Sequence, residues 1–216
     1  LAFVVLNTGF STTQQAKETI MSGLEESASN VQISGSVAGV YSIASTTGGA
    51  SGAVEDRLNM ISIPLKISSG SNPVNLADEV TQVKVLTNSI SYEDVLDKTV
   101  SGGAANELTS STDVSAAIVA NTDATGDVLA VGANNVAAPV HAGATAGMIY
   151  FTSNSDADSH LEKGENAVLT IVFADGEGPG HNEPIHIELL GEQGAVLSID
   201  RFIPALIAGD TYYDLG

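Results

Sequence analysis

The chain has 216 residues, 43% of them apolar and 15% charged, enough for one large domain or a domain with an appendage. Against 26 Asp and Glu stand 7 Lys and Arg, a net charge of −19. That excludes a nucleic-acid binder, which needs basic residues to displace phosphate counterions, and polybasic docking on an anionic membrane. With no Cys, no Trp and 5% aromatic residues, a disulfide framework, a thiol nucleophile, a zinc ribbon and a stacking platform are excluded as well.

Residues 1–30 differ from the rest. No charge falls between Leu1 and Gln15, and the chain opens Leu1-Ala2-Phe3-Val4-Val5-Leu6. Phe3, Leu6, Phe10, Ile20, Leu24, Ala28 and Val31 recur at steps of three and four, with Thr13 and Lys17 on the same stripe. That is the period of one helical face. Gln14, Gln15, Glu18, Glu25 and Glu26 make the opposite, polar face. The segment starts inside an apolar run with no N-cap and no acidic first turn, so it reads as the distal half of a longer hydrophobic helix. The opening apolar run is itself short of the roughly 20 residues a bilayer span takes.

Leu1-Ala2-Phe3-Val4-Val5-Leu6-Asn7-Thr8-Gly9-Phe10 followed by Ser11-Thr12-Thr13-Gln14-Gln15-Ala16-Lys17-Glu18 resembles the distal N-terminal helix of archaeal flagellins (archaellins), in the type IV pilin-like superfamily. The continuation from Ser22 to Gly35 resembles the family's passage into its first strand. Ser198-Ile199-Asp200-Arg201-Phe202-Ile203-Pro204-Ala205 resembles its last strand, where a basic residue precedes a hydrophobic-Pro pair. The family's apolar stretch is longer than the one here and follows a basic leader removed by a prepilin-type peptidase.

From about residue 31 the period becomes two. Ile61, Ile63, Leu65 and Ile67 alternate with Ser62, Pro64 and Lys66, a half-buried strand that Pro64 assigns to a sheet edge. Thr81–Leu86 alternates again, and Ala167–Phe173 is the continuous run of a strand buried on both faces. Ile185–Leu189 and Val196–Ile199 complete the set. Turn residues separate these runs at Gly48-Gly49, Ser69-Gly70-Ser71-Asn72-Pro73, Asp175–Gly180 and Gly191–Gly194,. The pattern predicts an antiparallel, immunoglobulin-like β-sandwich over 31–216. With the N-terminal helix of 1–30 the fold class is α+β, the architecture the resemblance also implies. Residues 101–147, rich in Ala, Gly, Ser, Thr and Asn and without Lys or Arg, read as a low-complexity surface excursion. No Asn-x-Ser/Thr sequon occurs in the chain.

Catalytic motifs are absent: no His-Glu-x-x-His, no Gly-x-Ser-x-Gly elbow, no phosphate loop,. His181 and His186 read as solvated residues in or beside a Gly/Pro turn. One acidic stretch has calcium-loop spacing, with Asn154, Asp156, Asp158 and Glu165 at positions 1, 3, 5 and 12. Position 6 is Ser159 where the sharp turn prefers Gly. The stretch is a candidate divalent-cation site (Ca or Mg) or a polar turn.

A strongly apolar helix on a soluble sandwich must bury its stripe, in a membrane as a stored precursor or against copies of itself. A head-to-tail contact that does not close gives an open filament. The expectation is therefore a non-enzymatic, extracellular filament subunit with Phe3, Leu6, Phe10, Ile20, Leu24 and Val31 packing the core. The resemblance makes that filament the archaellum, with other archaellins and membrane motor and assembly proteins as partners. An archaeal adhesion pilin is the alternative within the class. A secreted cation-binding sandwich, favoured only by the Asn154–Glu165 stretch, is the alternative outside it.

Overall fold

The computed structural model describes residue 17, residues 31–41, 57–100, 145–205 apart from 157, 175, 193 and 194, and residues 212–216. The stripe residues Phe3, Leu6, Phe10, Ile20 and Leu24 lie outside the described residues, as do residues 101–144 of the excursion. Lys17 has helical backbone and is exposed.

The described chain forms thirteen strands: β1 (Val31–Ile33), β2 (Ala38–Tyr41), β3 (Leu58–Ile67), β4 (Val74–Asn75), β5 (Gln82–Leu86), β6 (Ser91–Tyr92), β7 (Leu96–Val100), β8 (Ala146–Ser153), β9 (His160–Leu161), β10 (Asn166–Val172), β11 (Pro184–Leu190), β12 (Leu197–Phe202) and β13 (Tyr212–Asp214). Seven make one sheet in the order β13-β2-β3-β10-β8-β7, with β1 also on β3. Four make a second sheet, β12-β11-β5-β6, and β4 pairs with β9. Every pairing is antiparallel except β7 with β8.

The sheets share one core. Ile61, Ile63 and Leu65 of β3, Leu169 and Ile171 of β10, and Ile149 and Phe151 of β8 belong to the same buried cluster as Val83 and Val85 of β5, Ile185, Ile187 and Leu189 of β11, and Ile199 of β12. This is the alternation the sequence shows, because successive strand side chains point to opposite faces.

Three expectations change. Pro64 does not mark an edge: β3 lies inside the seven-stranded sheet, with β10 on one side and β1 and β2 on the other. Proline is tolerated there because β2 pairs only as far as Ser62 and β1 only from Leu65. The missing N–H falls in the gap between them, where the Pro64 carbonyl accepts the Ser34 N–H at 2.8 Å,. Val31, counted on the helical stripe, opens β1 opposite Ile67 and packs half-buried against the core. The excursion ends earlier than 147, since Ala146 and Gly147 already belong to β8. Outside these points, β10 is buried on both faces as its apolar run predicts. Thr170 and Val172 are buried beside Met148 and Tyr150 of β8, on the face away from the shared core. Burial pushes the Tyr150 hydroxyl pKa up, against a hydrogen bond with Thr170.

Candidate functional site: the outer face of the four-stranded sheet

The four-stranded sheet turns one side to the core and the other outward. On β11 the inward residues Ile185, Ile187 and Leu189 are buried, while His186, Glu188 and Leu190 between them are half-buried. Register carries this outer row across the sheet. His186 stands opposite Asp200 of β12 and Leu86 of β5, Glu188 opposite Ser198 and Lys84, and Pro184 opposite Phe202.

His186 is therefore a strand residue rather than a solvated loop histidine. Its Nδ1 lies 2.7 Å from Asp200 Oδ1 and its Nε2 3.1 Å from Glu188 Oε1. The hydrogen bond with Asp200, then that with Glu188, raise the imidazole pKa above its ordinary value, because both carboxylates favour the charged ring. Lys84 closes a second pair, with Nζ 2.7 Å from Glu93 Oε2. Its pKa is raised first by the Glu93 hydrogen bond, with Glu188 adding a smaller pull. Beside His186 lies a groove of about 450 Å³ bounded by Leu86, Thr87, Pro184, Asp200, Arg201 and Phe202. Arg201 Nη1 donates to the Asp200 carbonyl at 2.9 Å. Its Nε is buried without a hydrogen-bond partner.

At the Thr87 end of this face two carboxylates tie loops together. Glu183 is buried; its Oε1 accepts the Asn88 N–H at 2.9 Å and its Oε2 the Gly180 N–H at 2.7 Å. Arg57 stands 3.9 Å from that Oε2 and donates to the Gly178 carbonyl at 2.8 Å. Glu177 accepts hydrogen bonds from the hydroxyls of Tyr92 and Thr145, and the first of these raises the Tyr92 pKa. These acids serve neighbouring N–H and O–H groups, the work of loop fasteners. Sequence reasoning missed them, since Glu177 and Glu183 sit in an unremarkable turn and their partners Thr145, Tyr92 and Asn88 lie 32 to 95 positions away in the chain.

The acidic stretch behaves locally too. Asn154 takes a positive φ of 58° and donates from Nδ2 to the Gly164 carbonyl at 3.0 Å. Asp158 Oδ1 accepts the His160 N–H at 2.7 Å. Glu165 is buried, with Oε2 accepting the Glu162 N–H at 2.7 Å. Burial raises its pKa, while backbone N–H groups of Glu162 and Asp156 oppose that rise. Among the described residues, Asp156, Asp158 and Glu165 included, no group of three or more His, Cys, Asp or Glu side chains could hold a metal ion. Asn154 bonds to Gly164 and the Asp156 backbone N–H to Glu165 at the turn before β10, whereas Asp158 turns to His160.

The chain matches the family model of archaeal-type flagellin over residues 1–201. It is 30% identical over 216 residues to a probable flagellin 1 of Aeropyrum pernix, covering 100% of this chain and 88% of that one. The crystal structure of archaeal flagellin FlaB1 from Methanocaldococcus jannaschii shares the fold, with a TM-score of 0.55 and 17% identity over 87% of this chain and 97% of that one. So does the archaeal flagellum of Methanospirillum hungatei, with a TM-score of 0.52 and 17% identity over 96% of this chain and 85% of that one. The chain belongs to the archaeal-type flagellin family, and is a structural subunit of the extracellular archaellum filament used for motility.

Proposed function

We propose that residues 1–30 form the helix through which copies of this chain polymerise, with the sandwich from Val31 onward as the outer domain of the filament. The observation that carries this is the family match, which takes in the uncharged apolar opening and the sandwich as one unit. The apolar stripe of Phe3, Leu6, Phe10, Ile20 and Leu24 supports it physically. The sandwich strands already supply an inward apolar row from each sheet, so the stripe suits partners outside the domain. Identical helices packed head to tail without closure give an open fibre, in which each added copy buries the same area. Before assembly the stripe is held in the membrane, and membrane-embedded motor and assembly proteins are the other partners. The chain carries out no catalysis; the loop carboxylates are engaged in fastening, which supports that reading.

A net charge of −19 opposes the approach of copies, and added salt screens it. The test uses the full chain, compared with a Leu6→Asp/Phe10→Asp variant by electron microscopy and sedimentation at low and high salt. Filaments are expected from the unaltered chain, more readily at high salt, and none from the variant, whose sandwich still unfolds at the same temperature. Filaments formed equally well by the variant would show that polymerisation does not run through this helix.

A further inference from the structure

Met148 and Tyr150 of β8 and Val172 of β10 are buried apolar side chains that do not belong to the shared core. They alternate with Ile149, Phe151 and Ile171, which do, so they point to the opposite, outer face of the seven-stranded sheet. Thr170 is buried beside them, with its hydroxyl 3.1 Å from that of Ser62. The described strands beyond this sheet send their buried apolar residues inward: Val74, Val83, Leu161, Ile187 and Ile199 all lie in the shared core. The outer face is therefore covered, and no described strand supplies the cover.

That cover is uneven in two directions. Along β8 and β10 it ends past Tyr150, where Thr152 and Val168 are only half-buried. Across the sheet it fades toward β3, where Met60 and Ser62 are half-buried. It thus lies over the β7 side of the sheet, between the levels of Ala146 and Tyr150.

The same levels bound a topological demand. β7 and β8 are parallel neighbours, with Leu96 opposite Gly147 and Val100 opposite Tyr150. The chain leaves β7 level with Tyr150 and re-enters β8 at Ala146, so it returns roughly 15 Å along the sheet at about 3.3 Å per residue. Parallel neighbours need a crossover of a dozen or more residues, and residues 101–144 are ample for one. The inner face is already filled by the four-stranded sheet, which leaves the outer face. A return path beyond the β7 edge would leave Met148 and Val172 wet. The segment carries apolar side chains suited to that face, Ile118, Val119, Val128, Leu129 and Val131 among them, and no Lys or Arg.

We propose that the outer face of β8 and β10, from Ala146 to Tyr150, is the docking surface of residues 101–144 of the same chain. The compositionally bland excursion is then a third layer of the domain. Two other stretches reach this sheet, and neither matches the cover. Residues before Val31 arrive at the far end, where β1 pairs with Leu65 to Ile67 of β3. Residues between β2 and β3 enter beside Met60, where burial is weaker.

The chain has 3 Met, at 21, 60 and 148, which suits incorporation of photo-methionine, a near-isosteric diazirine. Dissociated subunits are irradiated and the crosslinks from position 148 mapped by mass spectrometry, using a mixture of isotopically light and heavy chains. The expected crosslinks run from 148 to residues 101–144 within one chain. Crosslinks to residues 1–30 or 42–56, products that mix light and heavy chains, or no protein crosslink at all overturn the proposal. A second chain carries a Gly-Ser linker of about twelve residues in place of 101–144. Peroxide should oxidise its Met148 about tenfold faster or more, since sulfoxide formation follows exposure, and its unfolding midpoint should fall. A linker chain that melts at the same temperature and protects Met148 equally also overturns the proposal. Where that chain does not fold, the crosslinks decide. Neither readout needs a filament, so the filament reading stands or falls separately.

Discussion

Met148, Tyr150, Thr170 and Val172, on the outer face of the seven-stranded sheet, are as buried as the shared core, whereas Leu86 and Phe202 on the outer face of the four-stranded sheet are about half in water. Both faces belong to antiparallel strands packed on the same interior. The seven-stranded side tolerates continuous apolar runs because neither face of β8 or β10 is wet. The four-stranded side alternates strictly, and its outer row mixes apolar residues with closed ion pairs. The contrast separates two kinds of outer face: the first sheet is covered on both sides at β8 and β10, and the second leaves apolar side chains in water beside its ion pairs.

The contrast breaks most sharply at aromatic residues. Phe151, fully buried on β8, should cost about 3–5 kcal/mol when changed to Ala, through lost burial and the cavity left behind. Denaturant unfolding of the two chains side by side measures it. Next comes Gly178→Ala. A Cβ there would clash with the Leu58 carbonyl oxygen, so the loop that bonds across Arg57 and Leu58 must move. A loss of about 3 kcal/mol is expected, as for overpacking against backbone, read as a fall in unfolding midpoint. Glu183→Ala leaves the Asn88 and Gly180 N–H groups without their acceptor. A loss of about 2 kcal/mol follows from the desolvation of those donors, with faster amide exchange at 88 and 180 as its local signature.

Phe202→Ser should change stability by no more than about 0.5 kcal/mol, since the ring is 60% exposed,, as denaturant unfolding would measure. A large loss of stability would erase the distinction drawn between the two faces. The smallest effect is electrostatic. The folded pKa of His186 is raised by Asp200 and Glu188, so its contribution is fully present below the unfolded value near 6.5 and disappears as pH rises through the folded value. The side chain is 34% exposed, which keeps the effect under about 1 kcal/mol. Thermal melts across this range should show a shallow decline, flattened in Asp200→Asn, and NMR titration of the ring should move toward the ordinary histidine value in that variant.

Strands with one wet face were legible from residue order. The alternations at Ile61–Ile67, at Val83 and Val85, and at Ile185–Leu189 mark β3, β5 and β11 with their inward sides correct. β8 was not, because Ala146–Phe151 is buried throughout and carries no period to read. Its first residues also follow a compositionally bland stretch. Pro64 misled for a related reason: whether a missing N–H is tolerated depends on what the neighbouring strands do at that one position, and β1 and β2 hand over there. The acidic stretch carried ligand spacing, but spacing alone does not say that Glu165 caps a turn while Asp158 turns to His160.

Composition alone determined much about this protein. Its heavy acidity, lack of cysteine and apolar opening segment removed nucleic acid, disulfides and thiol chemistry, and the opening motif carried the resemblance to archaellins. Those properties are summed along the chain or held in consecutive residues, so no folding is needed to read them. Only the tertiary structure decided that His186 sits between Asp200 and Glu188, that Glu183 fastens Asn88 to Gly180, and that the exposed apolar residues share one sheet. The contacts of His186 with Asp200 and of Glu183 with Asn88 join residues 14 and 95 positions apart through strand register and sheet packing, where a one-residue slip would send every side chain to the opposite face.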